Sequence, residues 1–442
     1  MCWSARDDFS HGSHTALIAA GLPNAIQENL VIQGGAPGAH LSVYKVCWFG
    51  HCDSADILKA YDDAILDNVD VITYSIGLPS PASYFEDAMA NGIVVVASAG
   101  NDRRIGSVVN VAPWMINYIT LGTGYTIQGY GLNNDVPRSS FPLTIYTRNY
   151  PQERYCKTTL NSAYTYNKIV ACYMEAGEDN IAAKSEIVRE AGGAGMILID
   201  KGDAARVIFD AYAVPISVIG LQQGMQLEEY ITTSSNPFAI ISPTEAVLNT
   251  KLAPTVAYFS RQGPNAITPD VIKPDITAPG FNIFAAFPGG PNEFGIDSGT
   301  SMSASHVTGV ASTIRATNKR WSVAAIKSAI MTTAIMIQSG AGPATPFDFG
   351  SGHLEPDLAL SPGLVYDFDE NDLIDFLCYH ITNDYDYYKL SNMVGRNEVC
   401  DSPPVPPYQL NYPSIAISSL YRLVLVRRTV TFVASRNGPK VY

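Results

Sequence analysis

Three short segments carry side chains that could share one nucleophilic reaction. The first, His11-Gly12-Ser13-His14-Thr15-Ala16, opens an apolar run toward Ala20. A histidine at a helix start can present a ring nitrogen to a cleft, and Gly12 lets backbone approach closely. The second, Ser298-Gly299-Thr300-Ser301-Met302-Ser303, is a glycine turn leading into an apolar helix with Met302, Val307, Val310 and Ile314. A serine at position 301 would sit at the positive end of the helix dipole, where a developing negative charge is favoured. The third, Ala97-Ser98-Ala99-Gly100-Asn101, closes the run IVVV and puts a carboxamide at the carboxyl edge of a strand. Open α/β sheets place ligand sites at that edge. Each segment also has a plainer reading. His11 and His14, at i and i+3, could cap a helix or bind a metal, although no Glu stands beside His11 and no third ligand has suitable spacing. A serine after a glycine turn is commonly an N-cap, and an asparagine after a strand commonly forms a turn.

The elements that must position these residues follow from periodicity. From His40, short β-branched runs alternate with helical segments: HLSVYKVC, SADILKAYDDAILDNV, DVITYSIG, PASYFEDAMANG and IVVVASAGN. That alternation predicts a parallel sheet covered by helices. Ile57, Leu58, Tyr61, Ala64 and Ile65 recur at helical spacing and should face the sheet, with Ser54 as the cap. Between about 123 and 250 a smaller repeat intervenes, KIVACY, NIAAKSEIVREAGGAGMILID, AVPISVIGLQQGMQLEEYIT and PFAIIS, and reads as an inserted domain. The first pattern then resumes, so its halves, 1–122 and 251–402, must meet in space. PPVPPYQLNYPS reads as a linker, and LVLVRRTVTFV predicts strands of a further segment, 403–442.

Composition excludes several classes. The 442-residue chain is 47% hydrophobic and 16% charged, enough for a large core, and its net charge of −13 argues against nucleic-acid or anionic-lipid partners. No apolar stretch reaches the roughly 20 residues that cross a bilayer, and the N-terminus does not read as an export signal. Six of the seven cysteines fall into local pairs, Cys47 with Cys52, Cys156 with Cys172 and Cys378 with Cys400. That pattern suits an oxidised, exported parent, with buried reduced thiols as the alternative. The glycines of AGGAGMILID precede a strand and so do not form a phosphate-binding turn, and no carboxylates have calcium-loop spacing. No cofactor and no metal are expected.

Together the three segments resemble the subtilases, and in detail the cucumisin-like plant subgroup, through YKVCWFGHCDSADILKAYDDAI, VVNVAPW, VIKPDITAPGFNIFAAFP, SGTSMSASHV, WSVAAIKSAIMTTA, FDFGSGHLEPDLALSPGLVYD and LNYPS. The resemblance implies a subtilisin-like α/β fold with helices on both faces of a parallel sheet. It implies that residues 123–250 are a protease-associated domain and that 403–442 begin a fibronectin-III-like one. By the same resemblance His11 is the general base, Ser301 the nucleophile and Asn101 the oxyanion donor beside the Ser301 backbone N–H. His14 and His306 are then structural. A peptide substrate would add as a strand between Ser75-Ile76-Gly77-Leu78 and Ala99-Gly100. The family is extracellular, is made with an inhibitory prodomain, and can form homodimers through the inserted domain.

The chain also departs from the family pattern. The subtilase order is Asp, His, Ser, and only ten residues precede His11 here. Asp7 and Asp8 lie in the approach to the helix and are not expected to replace the aspartate. The Asp-bearing strand, signal peptide and prodomain are expected to be absent from this chain. Segments near 85 and 117 read as shortened, Arg261-Gln262 replaces Ser-Arg before Gly263-Pro264, Ala304-Ser305 replaces Cys-Pro, and Leu78 replaces glycine. These departures suggest an impaired endopeptidase, with a non-catalytic peptide-binding protein or a truncated gene product as the alternatives.

Overall fold

The apolar face that follows Gly299 organises the part of the molecule holding the three segments. The computed structural model describes residues 6–27, 30–48, 51–76, 91–101, 110–111, 115–121, 126–129, 139–147, 149–174, 181–200, 212–242, 245–246, 255–257, 260–264, 269–289, 293–336, 345–381, 383, 387–388, 390–392, 400 and 404–433. Thr300–Thr317 is an 18-residue helix that buries Met302, Val307, Val310, Ala311 and Ile314. Of these, Val307, Val310, Ala311 and Ile314 pack with Val71, Val94 and Val96 and with Ile326 and Ile330 of the helix Val323–Thr332. Each such apolar side chain contributes about 1.5–3 kcal/mol when fully buried. The strands Val71–Tyr74 and Val94–Ala97 pair in parallel, in register from Val71 with Val94 to Tyr74 with Ala97.

The helix Ser54–Leu66 covers the flank of this pair. Ile57, Tyr61 and Ala64 point inward, and Ile57 and Tyr61 pack with Tyr74 and Ile93. Two expectations are corrected here. Leu58 is 42% exposed, because it falls just outside the arc that faces the strands. The cap is Asp53, whose carboxylate accepts from the Ala55 N–H, so Ser54 is the first helical residue. The stretch expected as a strand from His40 forms one only at Cys47–Trp48, in an antiparallel bridge to His51–Cys52.

The strand and helix repeat between about 123 and 250 folds as its periodicity predicts, and its sheet also takes in Met115–Leu121. Ile169–Met174, Gly195–Asp200 and Ile216–Gly220 are parallel strands with Ile181–Glu190 and Leu221–Thr233 between and after them. Phe141–Ile145 extends the parallel set, and Phe238–Ile241, Met115–Leu121 and Glu245–Ala246 continue the sheet antiparallel. Three disulfides close, Cys47–Cys52, Cys156–Cys172 and Cys378–Cys400, which are the three local pairs. Of LVLVRRTVTFV only Val430–Val433 is a strand, paired antiparallel with Gly363–Tyr366.

A charged cluster ties KPD to LNYPS. Lys273 Nζ lies 2.8 Å and Lys327 Nζ 2.8 Å from Asp275 Oδ2, and the Tyr412 hydroxyl donates to Asp275 Oδ1. Burial alone would raise the Asp275 carboxyl, but the two ammonium groups outweigh it and hold its pKa well below the ordinary value of 3.8. Burial pushes Lys327 down to about 8, against the pull of Asp275. A depressed carboxylate adds stability above its unfolded pKa and loses it as pH falls through the folded one. Asp275→Asn should therefore lower unfolding free energy at pH 7 by about 3 kcal/mol, since it leaves two ammonium groups without their counter-ion. Urea titrations should also show a flatter fall in stability below about pH 4 than in the wild type. An unchanged acid limb would remove Asp275 from this role.

Candidate active site

The first helix, His11–Ala20, starts on a carboxylate. Asp7 Oδ1 accepts from the N–H groups of Phe9 at 3.0 Å and Ser10 at 2.9 Å, and Oδ2 accepts from Ser13 at 2.7 Å. Burial would raise its pKa, but hydrogen bonds from Ser13, Phe9 and Ser10 prevail and lower it. Asp8 binds Lys45 Nζ at 2.8 Å. Both carboxylates are thus engaged at the entry to the helix, and among the described residues no hydrogen bond is made by the His11 ring.

The body of this helix lies on the helix Thr300–Thr317. Ile18 packs with Met302 and Ala285. The crossing is close because Gly35, bonded to the helix end through the Ile18 carbonyl, meets Gly309: a Cβ on Gly309 would lie 2.7 Å from Gly35 Cα and 3.0 Å from the Ala19 oxygen. His11 stands two turns before Ile18, roughly 10 Å along the helix axis. His14 is fully buried, its Nε2–H donating to the Ile283 carbonyl at 2.9 Å, and desolvation lowers its pKa despite nearby Asp297. His306 Nδ1 lies 2.8 Å from the Met302 carbonyl. Main-chain carbonyls thus hold both rings, as structural histidines require.

Asn101 meets Thr300, the residue before Ser301, at the start of the helix Thr300–Thr317. Asn101 Oδ1 accepts from both the N–H and the hydroxyl of Thr300, each at 2.9 Å, and Thr300 Oγ1 accepts from the Gly100 N–H at 3.0 Å. Because the carboxamide oxygen is engaged this way, Nδ2 turns to the Gly299 side, 3.1 Å from where a Gly299 Cβ would stand. Ser301 is 6% exposed, and its hydroxyl donates to the Ser75 carbonyl at 3.2 Å. Ser75 Oγ in return donates to the Ser301 carbonyl at 3.2 Å, which also accepts from Ser305. Of the segments expected to flank a peptide, Ser75, Ile76, Ala99 and Gly100 are described, whereas Gly77 and Leu78 lie outside the described residues.

Thr300 was not legible as a site residue, although it stands beside the serine in SGTS and a threonine at a helix start is a capping signal. The exchange between Ser75 and Ser301 joins residues 226 positions apart, for which local sequence holds no signal. Among the described residues no three His, Cys, Asp or Glu side chains converge on a metal position, and no helix is long and apolar enough to cross a membrane.

Residues 3–352 match the family model Peptidase_S8, the subtilase family. The subtilisin-like serine-protease S of Lotus japonicus is 39% identical over 97% of this chain and 63% of its own length. The subtilisin-like protease SBT1.7 of Arabidopsis thaliana is 38% identical over 94% of this chain and 61% of its own. The chain thus spans about three-fifths of the length of these relatives. The solved psychrophilic subtilisin-like protease Apa1 from Pseudoalteromonas sp. AS-11 superposes with a TM-score of 0.39 at 15% identity, over 80% of this chain and 84% of that one, too loosely to add to the assignment.

Thr300→Val keeps the shape of the side chain but removes the hydroxyl that receives Gly100 and donates to Asn101. Leaving the half-buried Gly100 N–H unsatisfied costs up to about 1–3 kcal/mol, so the variant should unfold at lower urea and exchange the Gly100 and Asn101 amides faster. Unchanged protection at both amides would show that Thr300 does not hold this segment.

Proposed function

The chain belongs to the subtilase family, and from that premise we propose that it is built as a serine endopeptidase of the cucumisin-like type, with Ser301 as nucleophile, His11 as general base and Asn101 as oxyanion donor. The observation that carries the reading is the placing of the Asn101 carboxamide at the turn that presents Ser301, its oxygen engaged by Thr300 and its nitrogen facing the Gly299 side. A peptide laid between Ser75–Leu78 and Ala99–Gly100 would bring its carbonyl to the Ser301 hydroxyl. The hydroxyl turns from the Ser75 oxygen toward His11, which takes its proton as Oγ bonds to the carbonyl carbon. Asn101 Nδ2 and the Ser301 N–H receive the oxyanion at the positive end of the helix. His11 then protonates the departing amine, and water releases the acyl group by the same steps.

In this proposal the insertion, residues 123–250, is a protease-associated domain able to mediate a homodimer, and 403–442 begin a fibronectin-III-like segment. The substrate is protein or peptide. Three disulfides support an extracellular, oxidising setting.

A second reading, a cleft that binds peptides with little or no cutting, draws on the engagement of Asp7 and Asp8 elsewhere and of the Ser301 hydroxyl with Ser75. An imidazole without a carboxylate partner loses control of its tautomer, and in subtilisin itself removing that aspartate costs on the order of 10⁴-fold in turnover.

A fluorophosphonate probe applied to the full chain should label Ser301, fail on Ser301→Ala, and react about 10²–10³-fold more slowly with Asn101→Leu. Folded wild-type protein that stays unlabelled would remove the endopeptidase reading. Peptide binding that survives Ser301→Ala, without cleavage by the wild type, would establish the second.

A further inference from the structure

The helix His11–Ala20 is held differently at its two ends. At the carboxyl end the N–H groups of Gly34, Gly35 and Ala36 donate to the carbonyls of Gly21, Ile18 and Ala19, main chain to main chain. At the amino end, where His11 stands, side chains tie it to the antiparallel pair Ile283–Ala286 and Phe294–Asp297 and the turn between them. The Ser10 hydroxyl donates to the Pro288 carbonyl at 2.9 Å, and His14 Nε2–H donates to the Ile283 carbonyl at 2.9 Å. Only one ring nitrogen of His14 is used in this way. The ring is fully buried, Nδ1 has no hydrogen-bond partner among the described residues, and Phe287 stands perpendicular to it with centroids 6.4 Å apart. The titratable groups that act on it are Asp297 from the strand pair, His11 from its own helix and His306 from Thr300–Thr317. Burial disfavours a charge on His14, whereas Asp297 and the main chain of Ile283 and Gly295 favour one. Burial prevails, so its pKa lies below the ordinary 6.5.

We propose that His14 is a positioning residue for the base, an acid-sensitive latch whose protonation lifts the amino end of the first helix from the strand pair and withdraws His11 from the site. The consequence for His11 rests on the endopeptidase reading, and the latch itself does not. A neutral ring needs only the Ile283 carbonyl for its single N–H. A protonated ring brings a second N–H and a full charge into a place closed to water, and lifting the helix end hydrates both. Lifting gives up the side-chain ties of Ser10 and His14 and none of the three main-chain bonds at the other end, so the opening is confined to the turns that carry His11. Above about pH 6.5 the ring is neutral whether docked or lifted, and no pH dependence arises. As pH falls below that value the lifted state takes up the proton first, and docking weakens until the docked ring is itself protonated.

Amide exchange of the full chain, corrected for the intrinsic rate at each pH, reads the opening directly. Between pH 7.5 and 5.0 protection of the His14 and Thr15 amides should fall by roughly 5–30-fold, and that of Gly35 and Ala36 by much less. In His14→Gln, which keeps a donor for Ile283 and does not titrate, the fall should vanish, whereas in His306→Gln it should persist. Fluorophosphonate labelling of Ser301 should then decline on the acid side with about the second power of proton concentration in the wild type, one proton for each histidine, and with about the first power in His14→Gln. A fall in protection that persists in His14→Gln, or that His306→Gln abolishes in its place, overturns the latch. If His14→Gln does not fold, the imidazole resonances of the wild type decide: a His14 ring titrating below 6.5 supports the latch, and one titrating at or above 6.5 overturns it. Protection that responds as expected while the two labelling profiles keep the same slope overturns the link to His11. Protection that responds as expected in folded protein that is never labelled keeps the latch and removes the endopeptidase reading.

Discussion

The site depends on what a single carboxamide oxygen accepts. Asn101 Oδ1 takes both the N–H and the hydroxyl of Thr300, and Thr300 in turn takes the Gly100 N–H. The first residue of the helix Thr300–Thr317 is thereby stitched to the segment after the strand Val94–Ala97, 199 positions earlier. An asparagine has one acceptor atom and one donor atom at its tip. Engaging the acceptor at the helix start leaves the donor to face the other way, toward the turn that presents Ser301. The same bonds hold Gly100 in place.

Two apolar contacts set the first helix against the helix Thr300–Thr317. Gly35 and Gly309 let the end of the first helix approach the helix Thr300–Thr317 more closely than any side chain would permit. Ile18 and Met302 then set how far one slides along the other. His14 is buried with its ring on the Ile283 carbonyl and its pKa lowered by desolvation, while His11 one turn earlier is half-buried. The spacing HxxH thus divides into one buried ring and one half-buried ring a turn apart.

The sequence was most legible where one segment's own period decides its state. The insertion's repeat, the apolar helix after Gly299 and the helix from His11 to Ala20 are of this kind. It was least legible where a partner decides. HLSVYKVC is β-branched enough for a strand, yet only its last part pairs, through a short return closed by Cys47–Cys52. LVLVRRTVTFV likewise forms a strand only where Gly363–Tyr366 lies beside it, while Leu423 and Leu425 remain exposed. Ser301, His11 and Asn101 each have a common local reading and are singled out only by the resemblance of their three segments taken together. Ser75 and Thr300 act through main-chain and hydroxyl bonds that any serine or threonine could make, so nothing in their neighbourhood singles them out.

Asp7 shows why a nearby acid is not interchangeable with a catalytic one. Its two oxygens receive three backbone N–H groups, two from the approach and one from the first turn. These bonds stabilise its charged form and supply the cap that Ser10, in a left-handed conformation with no side-chain bond to the helix, does not provide. Turning the carboxylate toward an imidazole would leave those donors without an acceptor, at a cost of about 1 kcal/mol or more for the cap alone. The favourable resting place of Asp7 is therefore beneath the helix start, where its charge opposes the helix dipole. A carboxylate that orients His11 would have to come from a group whose own backbone demands are already met, as at the end of a buried strand, and not from the residues that begin this helix.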